Sequence, residues 1–179
     1  MRKLIAQELV SLDGFFSGAN GEIDWHIVDD EYSEYALDLL NTVSMILFGR
    51  VTYQLMASYW PNESNDIAHK MNSSQKIVFS KTLESVHWQN TQLVSHNYID
   101  QIQNLKQQPG KDLLILGSAE LVSLLLNKGL IDELHLTVVP IVLGCGKPLF
   151  KDIDKRMKMD LYNSKTLRCG SVQLFYQTN

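Results

Sequence analysis

Met45-Ile46-Leu47-Phe48-Gly49-Arg50-Val51-Thr52-Tyr53 is an apolar run that ends in Gly-Arg and passes into a hydroxyl residue opening a helix. Such a turn lets the backbone approach a phosphate, with an arginine and a helix N-terminus to hold the anion. A second apolar run, Leu113 to Leu116, ends in Gly117-Ser118-Ala119-Glu120 and again opens a helix. Two strand–glycine–helix junctions in one small domain point to a ligand with more than one phosphate, such as a dinucleotide.

The rest of the chain sets the bounds. Its 179 residues fit a single domain over 1–179. Hydrophobic residues make up 45% and charged residues 20%, an ordinary globular mix. A net charge of -4 gives no electrostatic reason to expect nucleic acid. With only four arginines, Arg2, Arg50, Arg156 and Arg168, the one beside Gly49 carries more information than it would in a basic protein. Cys145 and Cys169 are too far apart for a metal knuckle or a redox pair, and they read as free thiols. The five histidines show no metal spacing, so no metal is expected. The N-terminal apolar run is too short for a signal peptide, and no stretch is long enough to span a membrane. A cytoplasmic enzyme or binding protein is the expectation.

Periodicity orders the elements. Residues 3–10 read as a buried strand. Ser11 to Asp24 is a loop with Gly14, Gly18 and Gly21. Asp29 to Asn41 is a helix whose Tyr32, Tyr35, Ala36, Leu39 and Leu40 recur at helical spacing. Strand 45–48 and a helix from Thr52 to Tyr59 follow, then a short helix over 67–73 and strands over 76–80 and 91–95. A polar helix over 98–107 precedes strand 113–116, helix 118–128 and strand 134–139. Residues 157–168 and 171–178 form a hairpin around Cys169-Gly170. Early strands alternate with helices and late ones do not. The pattern predicts an α/β fold, with a mostly parallel mixed sheet and an antiparallel C-terminal edge hairpin.

Six blocks now fall in a familiar order. They are Ser11-Leu12-Asp13-Gly14, Leu47 to Tyr53, Lys76-Ile77-Val78-Phe79-Ser80-Lys81-Thr82, Leu116 to Leu121, Leu130-Ile131-Asp132-Glu133-Leu134, and Pro140 to Phe150. This order resembles the dihydrofolate reductase superfamily. It is most similar to the reductase domain that follows the deaminase in bifunctional riboflavin-biosynthesis proteins. The resemblance implies a dihydrofolate reductase-like three-layer α/β/α fold around an eight-stranded or similar sheet. It also implies NADPH as cofactor and hydride transfer to a C=N or C=O bond of a small substrate. A protein that keeps the nucleotide cleft and only senses ligand is the alternative.

By the same resemblance, Gly49, Arg50 and Thr52, with Ser80 and Lys81, would hold the pyrophosphate and 2′-phosphate region. Gly117, Ser118, Ala119, Glu120 and Leu121 would offer backbone N–H groups to the pyrophosphate, Glu120 pointing away. Ala6, eight residues before Gly14, matches a position whose backbone meets the nicotinamide carboxamide; Gly14 joins the cofactor set. Asp30, five residues after Trp25, matches the pocket carboxylate of the folate enzymes, although its place at a helix start also suits a dipole partner. Asp13, Phe15, Trp25, Trp60, Gly144 and Gly146 are the substrate candidates. Two departures stand out. No arginine lies between Arg50 and Arg156 to clamp a folate tail, so efficient dihydrofolate reduction is not expected. Phe15-Phe16 replaces the lysine that riboflavin reductases carry after Asp-Gly, so an apolar wall stands in place of a cation. A homodimer is expected, with the apolar segment Val172 to Tyr176 as the edge that a partner covers.

Overall fold

Ile46 and Phe48 point to one side of a strand and Leu47 to the other, and all three are fully buried. A strand buried on both faces belongs inside a sheet that helices cover from each side. The computed structural model describes residues 1–178 and has that architecture. In chain order the elements are β1 (Leu4–Ser11), β2 (Phe15–Ser17), α1 (Asp30–Thr42), β3 (Val43–Gly49), α2 (Arg50–Tyr59) and α3 (Asp66–Ser73). Then come β4 (Gln75–Phe79), β5 (Thr91–Val94), α4 (Tyr98–Gln107), β6 (Asp112–Leu116) and α5 (Ala119–Asn127). The chain continues through β7 (Glu133–Val139), β8 (Lys147–Pro148), β9 (Met159–Thr166) and β10 (Val172–Thr178).

Eight strands form one sheet in the order β5-β4-β3-β6-β1-β7-β10-β9. From β5 to β7 all pairings are parallel, and β10 runs antiparallel to both its neighbours. Leu39 and Leu40 of α1, Tyr53 of α2 and Met71 of α3 pack with Ile46, Phe48 and Leu114 on one face. On the other face, α4 and α5 supply Ile102, Leu121, Val122 and Leu125 against Leu47, Leu113 and Ile115. The result is the mostly parallel, three-layer α/β/α fold with an antiparallel edge.

Three expectations change in detail. The Ser11–Asp24 segment is not all loop, because Phe15 and Ser17 of β2 pair with Pro148 and Lys147 of β8 in a small second sheet. Helix α2 begins at Arg50 rather than Thr52, which places the guanidinium on the first turn. Val172 to Tyr176 does not form the sheet edge, since β10 is paired on both sides. The edge is β9, whose Leu161 and Tyr162 are exposed beside charged neighbours. Register decides this: the chain returns beside β7 on its last strand, which pushes the earlier arm of the hairpin outward.

Candidate active site

In the sheet, β3 and β6 lie side by side, yet α2 leaves β3 for one face and α5 leaves β6 for the other. Open α/β sheets bind ligands at such a crossing point, beyond the carboxyl ends of the strands. The two turns here interlock. The Gly49 amide donates to Ser118 Oγ at 2.6 Å, and Ser118 Oγ donates to Thr52 Oγ1 at 3.1 Å. A β-carbon on Gly49 would come within 2.9 Å of Ser118 Oγ, and one on Gly117 within 2.8 Å of Thr52 Cγ2. Gly117 and Ser118 also hold positive φ angles of 65° and 72°.

The hydroxyl of Ser118 is therefore occupied by the neighbouring turn and does not cap its own helix. Neither α2 nor α5 has a side-chain cap, whereas Asp29 caps α1 and Asn65 caps α3. Two adjacent helix N-termini thus keep unsatisfied N–H groups, the arrangement that receives an anion. Arg50 is exposed on the rim, and among the described residues its one side-chain hydrogen bond is to Gln54, at 3.1 Å. Lys81 is exposed just past β4, the strand beside β3. Among the described residues neither cation has an acidic partner. Ser80 plays a different part from the expected one. It is buried, and its Oγ accepts from the Thr82 and Leu83 amides, so it shapes the turn that carries Lys81. Glu120 is exposed, and the Leu121 side chain lies in the core, leaving only backbone at the helix start.

Beside these turns lies a cavity of about 480 Å³. Tyr32, Leu39, Met56, Trp60 and Met71 line it from the helices on one face, with Gln7, Glu8 and Leu9 at the sheet and Phe16 and His26 from the first loop. Among its described lining residues there is no lysine, arginine or aspartate. Its walls suit a flat, largely apolar molecule.

Asp30 is not part of this cavity. It sits exposed on the first turn of α1 while Asp29 accepts from the Tyr32 amide as the cap. With 3.6 residues per turn, that phase sends Tyr32 inward and Asp30 to solvent. Asp13 also lies elsewhere: its carboxylate accepts from Ser11 Oγ at 2.6 Å and from the Leu143 and Gly144 amides at 3.1 and 2.7 Å. These bonds hold its pKa below the usual carboxylate value. The expected lid is thus tied to the glycine loop by Asp13 and by β2–β8 pairing. Gly144 is exposed, Gly146 packs under Phe15, and neither borders the cavity. Phe16 rather than Phe15 supplies the apolar wall. Trp25 is a core residue packed with Leu9, Tyr32 and Val139. Of the substrate candidates only Trp60 lines the cavity, while Ala6 is wholly buried in β1 and Gly14 is exposed.

Sequence reasoning passed over Glu8. It is 1% exposed, both its oxygens lack a partner among the described residues, and burial pushes its carboxyl well above the usual range. An acid in the middle of the apolar run Leu4 to Val10 was the available signal. His26 also keeps a buried, unpartnered Nε2, and desolvation lowers its pKa to about 4. Burial thus disfavours the charged form of both groups. Gln7 Nε2 donates to the Tyr32 hydroxyl at 2.9 Å across the cavity wall. His135, by contrast, is satisfied internally: it bonds Tyr35, Glu133 and Tyr162 in a closed cluster away from the cleft.

The RibD C-terminal domain family matches residues 2–173. The protein YyaP of Bacillus subtilis (strain 168) is 38% identical, the match covering 99% of this chain and 96% of that protein. A putative riboflavin biosynthesis protein from Shewanella sp. PV-4 superimposes with a TM-score of 0.80 at 24% identity, over 99% of both chains. Dihydrofolate reductase from Enterococcus faecalis, complexed with NADP(H), superimposes at 0.68 with 14% identity, over 99% of this chain and 96% of its own.

Proposed function

The chain belongs to the RibD C-terminal domain family, and from that premise we propose that it is an NADPH-dependent reductase. It would pass a hydride to a C=N or C=O bond of a small, uncharged, largely apolar ring compound. The observation that carries this reading is the pair of uncapped helix N-termini, locked together by Ser118, that opens beside an apolar cavity. The residues fit a dinucleotide. The uncapped N-termini of α2 and α5 would hold the pyrophosphate, and Arg50 and Lys81, which have no acidic partner among the described residues, would hold the 2′-phosphate. When bound, the nicotinamide would supply the hydride.

The chain's own residues bind, orient and exclude water. Arg50 forks onto phosphate and Lys81 adds a point charge. Tyr32, Trp60 and Phe16 keep the reacting ring dry, which strengthens the polar contacts inside. With no cation in the cavity, a folate tail or a ribosyl phosphate has no anchor there. The test measures NADPH affinity by calorimetry and then NADPH oxidation across a panel of uncharged cyclic imines and carbonyls. Absence of NADPH binding would overturn the reading. Tight binding with no turnover anywhere in the panel would favour the sensing alternative, which Asp30's place outside the cavity also favours. In this reading the protein works in the cytoplasm as a homodimer with β9 at the contact. Light scattering that gave the 20.4 kDa of a single chain would count against that assembly.

A further inference from the structure

Reduction of a single ring needs little room. A cavity of about 150 Å³ already holds a benzene-sized molecule, and the one beside the phosphate turns has about 480 Å³. Even with the nicotinamide inside it, next to the ring to be reduced, space for a further group of about that size remains. The lining shows where this space lies. Leu114, Leu116 and Gly117 all border the cavity, so it runs back from the end of β6 for about 10 Å along the strand. Its inner part reaches Leu39 and Leu40 of α1, Met56 of α2, and Ile67 and Met71 of α3. α1 packs on α3, and the cavity stands between α1 and α2.

Polar residues are confined to one side of it. Gln7, Glu8, His26 and Tyr32 come from β1, the first loop and the first turn of α1. The inner walls carry no ionisable side chain. The indole N–H beside them, Trp60 Nε1, donates to Met56 Sδ at 3.1 Å and so is turned onto a thioether. Methionines adapt to the shape of what they touch, which suits Met56 and Met71 to a flexible occupant. Val28, Leu55 and Tyr59 carry the lining out to the surface, where all three are exposed.

We propose that the substrate carries an uncharged alkyl or aryl arm of about six carbons, seated between α1, α2 and α3 on Leu39, Met56, Ile67 and Met71, while its reacting ring stays at the Gly117 end. This deepens the reading of the cleft as a reductase site and rests on it. A charged or hydroxylated arm would lose its water in the inner part and find no partner there. Each methylene that leaves water for these walls should strengthen binding about fourfold.

The experiment uses N-phenyl-1-naphthylamine, an uncharged apolar fluorophore, bound to the protein saturated with NADP⁺. It is displaced by cyclohexanone, by 4-alkylcyclohexanones from methyl to octyl, and by a chain of hexyl length that ends in a carboxylate. Affinity should rise about fourfold per methylene and level off near six carbons, and the carboxylate should bind at least about tenfold more weakly than its uncharged counterpart. Ile67→Trp fills the inner end and should move the levelling point to shorter chains. Ile67→Phe is the milder filler, circular dichroism checks folding, and NADPH calorimetry checks that the phosphate turns are intact. Failure of the fluorophore to bind, a flat series, equal binding of the carboxylate, or a levelling point that both fillers leave in place would overturn the arm, while NADPH binding kept the cleft reading. If the native protein bound no NADPH, the cleft reading itself would fall, and the arm with it.

Discussion

Replacing Ser118 by alanine removes the oxygen that ties the two phosphate turns together. That oxygen accepts from the Gly49 amide at 2.6 Å and donates to Thr52 Oγ1 at 3.1 Å. Ser118 is only 8% exposed, so an amide and a hydroxyl lose their partner at once. A buried polar group left unsatisfied costs about 1–3 kcal/mol. Gly49 is half-buried and can recruit water, which puts the expected loss near the lower end, about 1–2 kcal/mol. For a chain of this size each kcal/mol moves the melting midpoint by roughly 2–4 °C. The midpoint should therefore fall by roughly 2–8 °C. Ser118→Gly separates the hydroxyl from the backbone: it loses the same oxygen but relieves a positive φ of 72°. A β-carbon in that region costs about 1 kcal/mol, so the glycine variant should be clearly more stable than the alanine variant. Thr52→Val combined with Ser118→Ala should cost less than the sum of the two single changes, because both break one contact. NADPH affinity should fall in both Ser118 variants as the helix N-termini lose their common alignment. Urea unfolding supplies the stabilities and calorimetry the affinities. Ser118→Ala within about 0.5 kcal/mol of the native protein, or Ser118→Gly less stable than Ser118→Ala, would refute the stitching argument.

Arg50→Ala should weaken NADPH about tenfold or more while changing NADH little, since a charged hydrogen bond to phosphate contributes about 1.5–3 kcal/mol. Equal losses for the two cofactors would place Arg50 away from the 2′-phosphate. Two cavity groups should oppose each other in the dependence of stability on pH. Glu8's folded pKa is raised, so its contribution is full below the unfolded carboxylate value and fades as pH rises through the folded one. His26 falls from 6.5 to about 4, so the folded state gains stability as pH rises across that interval. Glu8→Gln should steepen the gain between those values and exceed the native stability above them, whereas His26→Gln should flatten or reverse it. Urea midpoints taken at stepped pH check both, and unchanged slopes would contradict the burial argument. Lys76 is 1% exposed; its ammonium donates to the Met71, Asn72 and Ser74 carbonyls and lies 4.5 Å from the Trp88 ring centroid. Lys76→Met should destabilise by about 2–4 kcal/mol by stripping the C-terminal end of α3 of its donors, and a neutral result in urea unfolding would show that water replaces them.

What the sequence determined by itself was local. Alternating apolar faces marked the strands, and Leu47-Phe48-Gly49-Arg50 and Leu116-Gly117-Ser118 marked the two strand-to-helix turns, because periodicity and glycine chemistry act over a few residues. Helices set between early strands marked the parallel sheet, since parallel neighbours need long crossovers. Tertiary structure decided the rest. Glu8 passed without notice inside a buried strand, and only the packing around β1 left its carboxyl without a partner among the described residues. Asp30 read as the candidate acid until the Asp29 cap fixed the phase of α1 and turned it to solvent. Asp13 became a clamp because Leu143 and Gly144, 130 and 131 residues later, came within its reach. Periodicity says which way a side chain points within its own element. Which strand ends beside it, and which distant amide meets it, follow from pairing between elements, and no local stretch of chain carries that information.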